Sequence, residues 1–453
     1  MTALERLASH AAAGVRGAVS GALRQAVALH VADTVGAWVA AARTPEGRAL
    51  LRLESADPKH AALKPGGVPD RVRRNCALAR LSEIDDIHLA SCTTPGAVIV
   101  PAVLTLSASM DPCDGAAVTE AIVAGYEAMV RLGKALDGPS ILYRGIWPTY
   151  IAAPFGVAAA CARLLGLSER EAAHALALAL ALAAPGVGHQ SGGARWLALG
   201  QAARNGIVAA TSAAAGFTAD LGMLEGEFFP SVYQVSPDPG ALTEGLGERR
   251  AIAEVSFKPW CAARQTMAAA QGLKELIEGG LAPAEIGAIE VRIPPPYFKM
   301  VNHGVVPGDR VSHLTSLPYQ LASAALAPQN MFDVGRAPAG LSGEVQSFMN
   351  KVTVRADESL LGYFPKAWPA KIAVGTPSAH HERLVIHVPG DPERPFDERG
   401  VSDKFRRVVA PLLGEAAADD LLHSSLAAVA GNGAAASLHE RIERLCRDAL
   451  TRS

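Results

Sequence analysis

Between Asp85 and Thr94 the chain places two carboxylates (Asp85, Asp86), an imidazole (His88), a thiol (Cys92) and three hydroxyls (Ser91, Thr93, Thr94), then turns at Pro95-Gly96 into the apolar run Ala97-Val98-Ile99-Val100. A Thr-Thr-Pro-Gly turn that feeds a helix leaves backbone N–H groups unpaired at the helix start, which suits an anionic ligand. The competing reading is an Asp-rich loop that does no more than cap that helix. Further ionisable residues stand in or beside segments that read as loops: Arg195, Lys258, Arg264 and Tyr319. Together these types suit one task. Removing a proton beside a carboxylate builds up negative charge there, so the reaction needs fixed cations and a base, and Lys, Arg, Asp and His supply both. The signatures G-x-S-x-G and H-E-x-x-H and the nucleotide-binding loops do not occur.

Two of these positions carry sharper expectations. His88, in an Asp-Asp-x-His turn, is expected to be oriented by Asp86, which would also raise its pKa. Lys258 stands between Phe257 and Pro259-Trp260. Apolar neighbours there would desolvate its ammonium, and Pro259 restricts it to extended backbone. A neutral Lys258 can take the proton, a charged one can stabilise the enediolate, and the competing reading pairs it with Asp85 or Asp86 across a domain boundary.

The elements that must position these groups follow from pattern and composition. At 453 residues, with 49% apolar, 19% charged and only 5% aromatic residues, the chain can bury a large core and exceeds what one core usually holds. Abundant Ala and Leu favour close-packed helices. A net charge of −2 argues against nucleic-acid or membrane partners and for a small-molecule ligand. The six cysteines are scattered without a C-x-x-C pair, which argues against a metal site or disulfide framework. The N-terminus lacks a signal-like apolar core, so a cytoplasmic location is expected.

Helical periodicity predicts helices over 3–16 and 21–43, packed as a hairpin, then around Pro45–Leu53, Val72–Leu81, Val98–Met110, Ala116–Leu136 and Pro148–Leu165, with a capping box at Ser168-x-x-Glu171. A break is expected at Asp111-Pro112, and loops at Lys64–Pro69 and Pro185–Arg195. The second of these, rich in glycine, reads either as a connector or as an anion cradle. From Glu254 the character changes: a helix over Gln265–Glu278 and strands at Ile286–Ile293, Lys351–Arg355, Lys371–Val374 and Arg383–Val388. The fold class is therefore mainly α, a large all-α helical domain (1–253 and 401–453) with an inserted smaller α+β lid domain (254–400). A cleft at such a junction is where a small ligand is expected.

The sequence resembles the MmgE/PrpD family over nearly its whole length. The likeness rests on Asp85-Asp86 with Pro95-Gly96-Ala97-Val98, Gly125-Tyr126-Glu127, Phe155-Gly156, Leu164-Leu165-Gly166-Leu167, the run from Gly200 to Gly206, Phe257-Lys258-Pro259 with Arg264, Ser316-Leu317-Pro318-Tyr319 and Asp403-Lys404-Phe405. The resemblance implies a helical domain with an α+β lid, a homodimer, no cofactor and no metal, and dehydratase, decarboxylase or epimerase chemistry on a small carboxylate. It places the acidic pair on Asp85 and Asp86, the lid lysine on Lys258 and the tyrosine on Tyr319. Asp86, His88, Lys258 and Tyr319 are then the catalytic candidates. Asp85, Thr94, Trp147, Arg195 and Arg264 are the substrate-binding ones.

The chain departs from the family pattern at three places. Thr94 and Trp147 stand where several family members carry histidine, and Arg195 stands where those members carry a lysine in the glycine-rich loop. An Arg binds carboxylate well but is a poor proton carrier, and His88 is left as the imidazole expected near. Two functions follow: a cofactor-independent lyase or isomerase acting on a di- or tricarboxylate by proton abstraction next to a carboxylate, or a protein that binds such a carboxylate without turnover.

Overall fold

A computed structural model of the chain describes residues 1–14, 19–53, 66–110, 113–183, 192–248 and 250–451. These separate into two compact units, Met1–Val255 with Asp397–Ser453, and Ser256–Phe396. Most described residues are helical, and none of their helices is long and apolar enough to cross a membrane. The expected break at Asp111-Pro112, the start of the Lys64–Pro69 loop and most of the Pro185–Arg195 loop lie outside the described residues.

The first unit opens with α1 (Ala3–Ala13), α2 (Gly21–Ala41), α3 (Pro45–Arg52), α4 (Gly67–Leu81), α5 (Gly96–Ser107) and α6 (Gly115–Ala135). It continues through α7 (Gly138–Leu142), α8 (Pro148–Leu164), α9 (Glu169–Ala181), α10 (Ala194–Ala214) and the short α11 (Phe228–Tyr233) and α12 (Pro239–Thr243). The second unit holds α13 (Arg264–Glu278), β1 (Ala288–Ile293), α14 (Phe298–Val301), α15 (Arg310–Thr315), α16 (Leu317–Leu326), α17 (Gly343–Met349), β2 (Val352–Ala356), β3 (Ala370–Gly375) and β4 (His380–Val385). The chain then returns to the first unit as α18 (Glu398–Leu413), α19 (Glu415–Leu426) and α20 (Ala434–Thr451).

Helix α2 is the centre of the first unit. It is buried from Val27 to Ala41 all round its circumference, because α4, α5, α18 and α19 enclose it. That enclosure overturns the expected hairpin with α1, whose apolar face of Leu4, Leu7, Ala8 and Ala11 packs chiefly on α9 instead. The C-terminal helices dock here through a buried ion pair: Lys404 Nζ of α18 lies 2.5 Å from Asp33 Oδ1 of α2 and also donates to the Ile84 carbonyl at 2.8 Å. The Ser168 capping box forms as the spacing predicts, with both reciprocal hydrogen bonds at the start of α9.

Gly125, in the middle of α6, is the point at which α5, α6 and α8 meet. A Cβ there would stand 2.6 Å from Ile99 Cγ2 and 3.1 Å from Ala160 Cβ. Close packing thus offsets the helix-propensity cost of about 1 kcal/mol that a mid-helix Gly carries.

In the second unit the sheet order is β2-β1-β3-β4, with β1 and β2 parallel and the other pairs antiparallel. Ile289, Val291 and Ile293 of β1 and Ala370, Ile372 and Val374 of β3 are buried, while α13 covers β3 and β4. The fourth strand begins and ends about three residues before the segment expected from the pattern. A tight turn, in which the Thr376 N–H donates to the Ala379 carbonyl at 2.9 Å, starts the pairing at His380 opposite Gly375. Val388 is lost to the ladder because its N–H donates to Asp391 Oδ2 at 2.8 Å.

The Gly125 junction makes a direct prediction. Gly125→Ala should destabilise the first unit by about 1–3 kcal/mol through overpacking, read as a lower urea midpoint; an unchanged midpoint would show that the three helices do not meet this closely.

Candidate functional site

The Asp85–Gly96 segment is built around Asp86, which is 1% exposed. Its Oδ1 accepts the Gly96 N–H at 2.7 Å, and its Oδ2 accepts the Tyr126 hydroxyl at 2.8 Å and faces His30 Nδ1 at 2.8 Å. A Cβ on Gly96 would lie 2.6 Å from that carboxylate. The start of α5 therefore does bind an anion, but the anion is the chain's own Asp86. Burial first, and then the Asp86 carboxylate, push the Tyr126 phenol well above its ordinary range, so it is a neutral donor. Neighbouring Asp33 is raised by burial, an effect that Lys404 opposes.

Asp85 faces the other way. Arg80 Nη1 lies 3.3 Å from Asp85 Oδ1 and 2.9 Å from Glu83 Oε2. Burial works against the Arg80 charge, but Asp85 and then Glu83 outweigh it and hold its pKa up. The Arg80 guanidinium sits 5.8 Å from the Trp147 ring and 5.6 Å from the Trp196 ring, and that of Arg195 sits 5.2 and 5.4 Å from the same two rings. Trp147, at one of the two expected histidine positions, thus supplies an aromatic face for two cations. Thr94, at the other, is 3% exposed, and its Oγ1 has no hydrogen-bond partner among the described residues.

His88 does not contact Asp86 as expected. The chain turns back at Cys92 (φ 53°), so that the His88 N–H donates to the Thr93 carbonyl at 2.8 Å and the ring Nδ1 accepts the Ser91 N–H at 3.1 Å. That contact assigns the proton to Nε2, which points at Glu254 Oε2, 3.4 Å away. Burial lowers the His88 pKa and Lys134 adds to this, against the opposing pull of Glu254; the expected rise is overturned. Glu254 is itself brought down to about 2, chiefly by the hydrogen bond from His88 and then by Lys134, whose Nζ is 2.6 Å away.

The remaining candidates lie in the second unit. Lys258 is 2% exposed, on a segment pinned at three points: Phe257 N–H to the Gly390 carbonyl (2.9 Å), Cys261 N–H to Met331 (2.9 Å) and Ala263 N–H to Leu314 (2.9 Å). Arg264 opens α13, and its Nη2 meets Asp391 Oδ2 at 2.6 Å with both residues buried. A charge proposed for a substrate carboxylate is therefore already matched by a carboxylate of the protein. Tyr319 is 5% exposed, near the start of α16, with its ring edge-to-face against His313 at 4.8 Å. The half-buried Arg336 guanidinium lies 5.1 Å over the Tyr319 ring and makes no ion pair among the described residues.

The structure thus assembles Asp86 with His30 and Tyr126, Asp85 with Arg80, and Trp147 with Arg195, all in the first unit. In the second it groups Tyr319 with His313 and Arg336. Sequence reasoning missed His30, His313, Arg336 and Asp391. His30-x-x-Asp33, on one face of α2, was a usable signal; Asp391, 127 residues from Arg264, left none, and Arg336 belongs to no motif that pointed to Tyr319.

Two measurements test this geometry. Asp86→Ala should cost about 3–5 kcal/mol, because it strips a buried carboxylate from its donors; a loss below 1 kcal/mol in chemical denaturation would contradict it. His88 is held neutral in the fold, so the unfolded state binds its proton first as pH falls below about 6.5. Stability should decline on the acid side of that value, and His88→Gln should flatten the decline in urea titrations at stepped pH.

The MmgE/PrpD N-terminal domain matches residues 5–238 and the MmgE/PrpD C-terminal domain matches residues 260–428. Cis-aconitate decarboxylase of Aspergillus terreus, and the protein of that name from its strain NIH 2624 / FGSC A1156, are each 32% identical over 158 residues, which is 33% of this chain and 32% of the relative. The chain thus aligns with about one third of the length of these curated relatives, while the two domain matches take in most of its own. The chain belongs to the MmgE/PrpD family.

Proposed function

We propose that this protein is a cofactor-independent lyase acting on a small di- or tricarboxylate, and that its reaction begins by removing a proton from the carbon beside a carboxylate. The observation that carries this reading is the buried Lys258 on its pinned segment, in a unit that also holds Tyr319 and the Arg336 cation beside it. The partial likeness to cis-aconitate decarboxylase supports it and makes cis-aconitate the first substrate to try. Lys258 Nζ takes the proton: the C–H bond breaks, an N–H bond forms, and the electron pair moves into an enediolate. Fixed cations stabilise that charge as it develops, which is where such groups contribute most. Hydroxide then leaves from the neighbouring carbon as the electron pair closes the double bond, or a proton returns to carbon; where carbon dioxide leaves instead, no C–H bond is broken first, the electron pair of the broken C–C bond passes into the allylic system, and a proton is delivered to its far carbon.

Lys258→Arg separates a proton carrier from a simple cation, since Arg keeps the charge and does not cycle a proton. The variant should lose about 10²-fold or more of product formation and solvent-deuterium uptake with cis-aconitate, while still binding tricarballylate and melting at the parent temperature. A variant that folds and turns over near the parent rate removes Lys258 as the base. If the parent binds tricarballylate but neither exchanges nor converts cis-aconitate, citrate or related acids, the protein is a carboxylate binder.

A further inference from the structure

A dehydration or an epimerisation moves two protons, one off carbon and one onto the leaving oxygen or the opposite face of the carbanion, and a second carrier serves the second transfer. The two imidazoles expected at positions 94 and 147 are replaced by Thr94 and Trp147. Both first-unit imidazoles beside the Asp85–Gly96 segment are engaged: His30 Nδ1 is held on Asp86, and both ring nitrogens of His88 have partners.

His313 differs from both. It is fully buried, and its Nδ1 lies 2.7 Å from the Asp309 carbonyl, so Nδ1 carries the proton and donates it there. Nε2 is then left with its lone pair, buried and without a hydrogen-bond partner among the described residues. A buried polar atom with no partner is costly, and where one persists it calls for a functional account. The ring packs edge-to-face on Tyr319 at 4.8 Å, and the Gln320 amide donates to the His313 carbonyl at 2.8 Å, which holds the turn between α15 and α16. The next residue, Leu314, accepts the Ala263 N–H and so joins this turn to the segment that carries Lys258.

We propose that His313 is the second proton carrier of the site, with Nε2 as the reacting atom, complementing Lys258. Lys258 takes the carbon-bound proton, and Nε2, which takes up a proton from solvent as substrate binds, gives it to the departing oxygen or to the opposite face of the carbanion: the Nε2–H bond breaks, an O–H or C–H bond forms, and the lone pair returns to Nε2. The Nδ1–H bond to Asp309 stays in place throughout and supports the imidazolium, as a backbone carbonyl partner does for a histidine acting through its other nitrogen. Arg336, whose guanidinium lies over the Tyr319 ring that His313 also contacts, supplies the cation that anchors the substrate carboxylate. This assignment rests on the proposed carboxylate reaction.

The test uses the two amide replacements, because Asn retains a donor at the Nδ1 position and loses Nε2, whereas Gln retains a polar group at the Nε2 position and loses Nδ1. Parent, His313→Asn and His313→Gln full-length proteins are compared for solvent-deuterium uptake and product formation with cis-aconitate, for tricarballylate binding by calorimetry, and for melting temperature. His313→Asn is expected to bind tricarballylate within a few-fold of the parent, to melt as the parent does, and to lose about 10²-fold or more in rate. Added imidazole should restore part of the rate in His313→Ala. Near-parent turnover by a folded His313→Asn overturns the inference and leaves the proposed function standing. Equal loss of rate and of melting temperature in His313→Asn and His313→Gln, without imidazole rescue, assigns the ring a structural role and likewise overturns it. A parent that neither exchanges nor converts cis-aconitate or citrate overturns the proposed function, and the inference with it.

Discussion

One buried carboxylate organises the first unit. Asp86 has almost no solvent to satisfy it, so every lone pair must find a protein donor, and the donors come from far apart in the chain: His30 on α2, Gly96 at the start of α5 and Tyr126 on α6. Each bond constrains an element. Gly96 has to lack a Cβ for the carboxylate to reach the helix start, Tyr126 has to face inward from α6, and α2 has to run where His30 meets the same oxygen. A charge without these partners would carry a desolvation penalty of several kcal/mol, so the segment and the three helices are placed together or not at all.

The same rule governs the charges around it. Asp33 holds Lys404, Arg80 holds Asp85 and Glu83, and Glu127 accepts both the Arg131 guanidinium (2.6 Å) and the Ala251 N–H (2.9 Å). Acidic residues that looked chemically available in the sequence are therefore committed to holding the first unit together. The second unit is organised differently: Arg264 and Asp391 neutralise each other, but Tyr319, Arg336 and His313 present a hydroxyl, a cation and an imidazole nitrogen in one neighbourhood. The Tyr319 ring meets the His313 ring at 4.8 Å and the Arg336 guanidinium at 5.1 Å, and of these three residues only the tyrosine stands in a motif the sequence displays.

The family motifs have structural tasks that explain their residue types. In Gly125-Tyr126-Glu127 the glycine lets three helices touch, the tyrosine donates to Asp86 and the glutamate fastens Ala251. In Asp403-Lys404-Phe405 the lysine pairs with Asp33, and the phenylalanine packs where a side chain on Gly36 would collide with it, 3.0 Å from that position. In Ser316-Leu317-Pro318-Tyr319 the serine caps α16 by accepting the Tyr319 N–H and so sets the direction in which the tyrosine leaves the helix start.

By itself the sequence determined what local physics determines. Helical periodicity, the Ser168 capping box, the alternating strands of the second unit and the mainly α class were legible because they depend on neighbours within a few residues. The family was legible too, in the order and spacing of its motifs. Only the tertiary structure decided who meets whom. His88 faces Glu254, 166 residues away, and not Asp86, two residues away, because the turn at Cys92 rotates the ring toward Ser91 and a single 3-10 turn at Ala251–Glu254 brings in the carboxylate. Asp391 takes the charge of Arg264, and His30 takes Asp86, through contacts separated by 127 and 56 residues. Such pairings follow from burial, which forces every charge to find a partner in three dimensions, and spacing along the chain carries no record of that search.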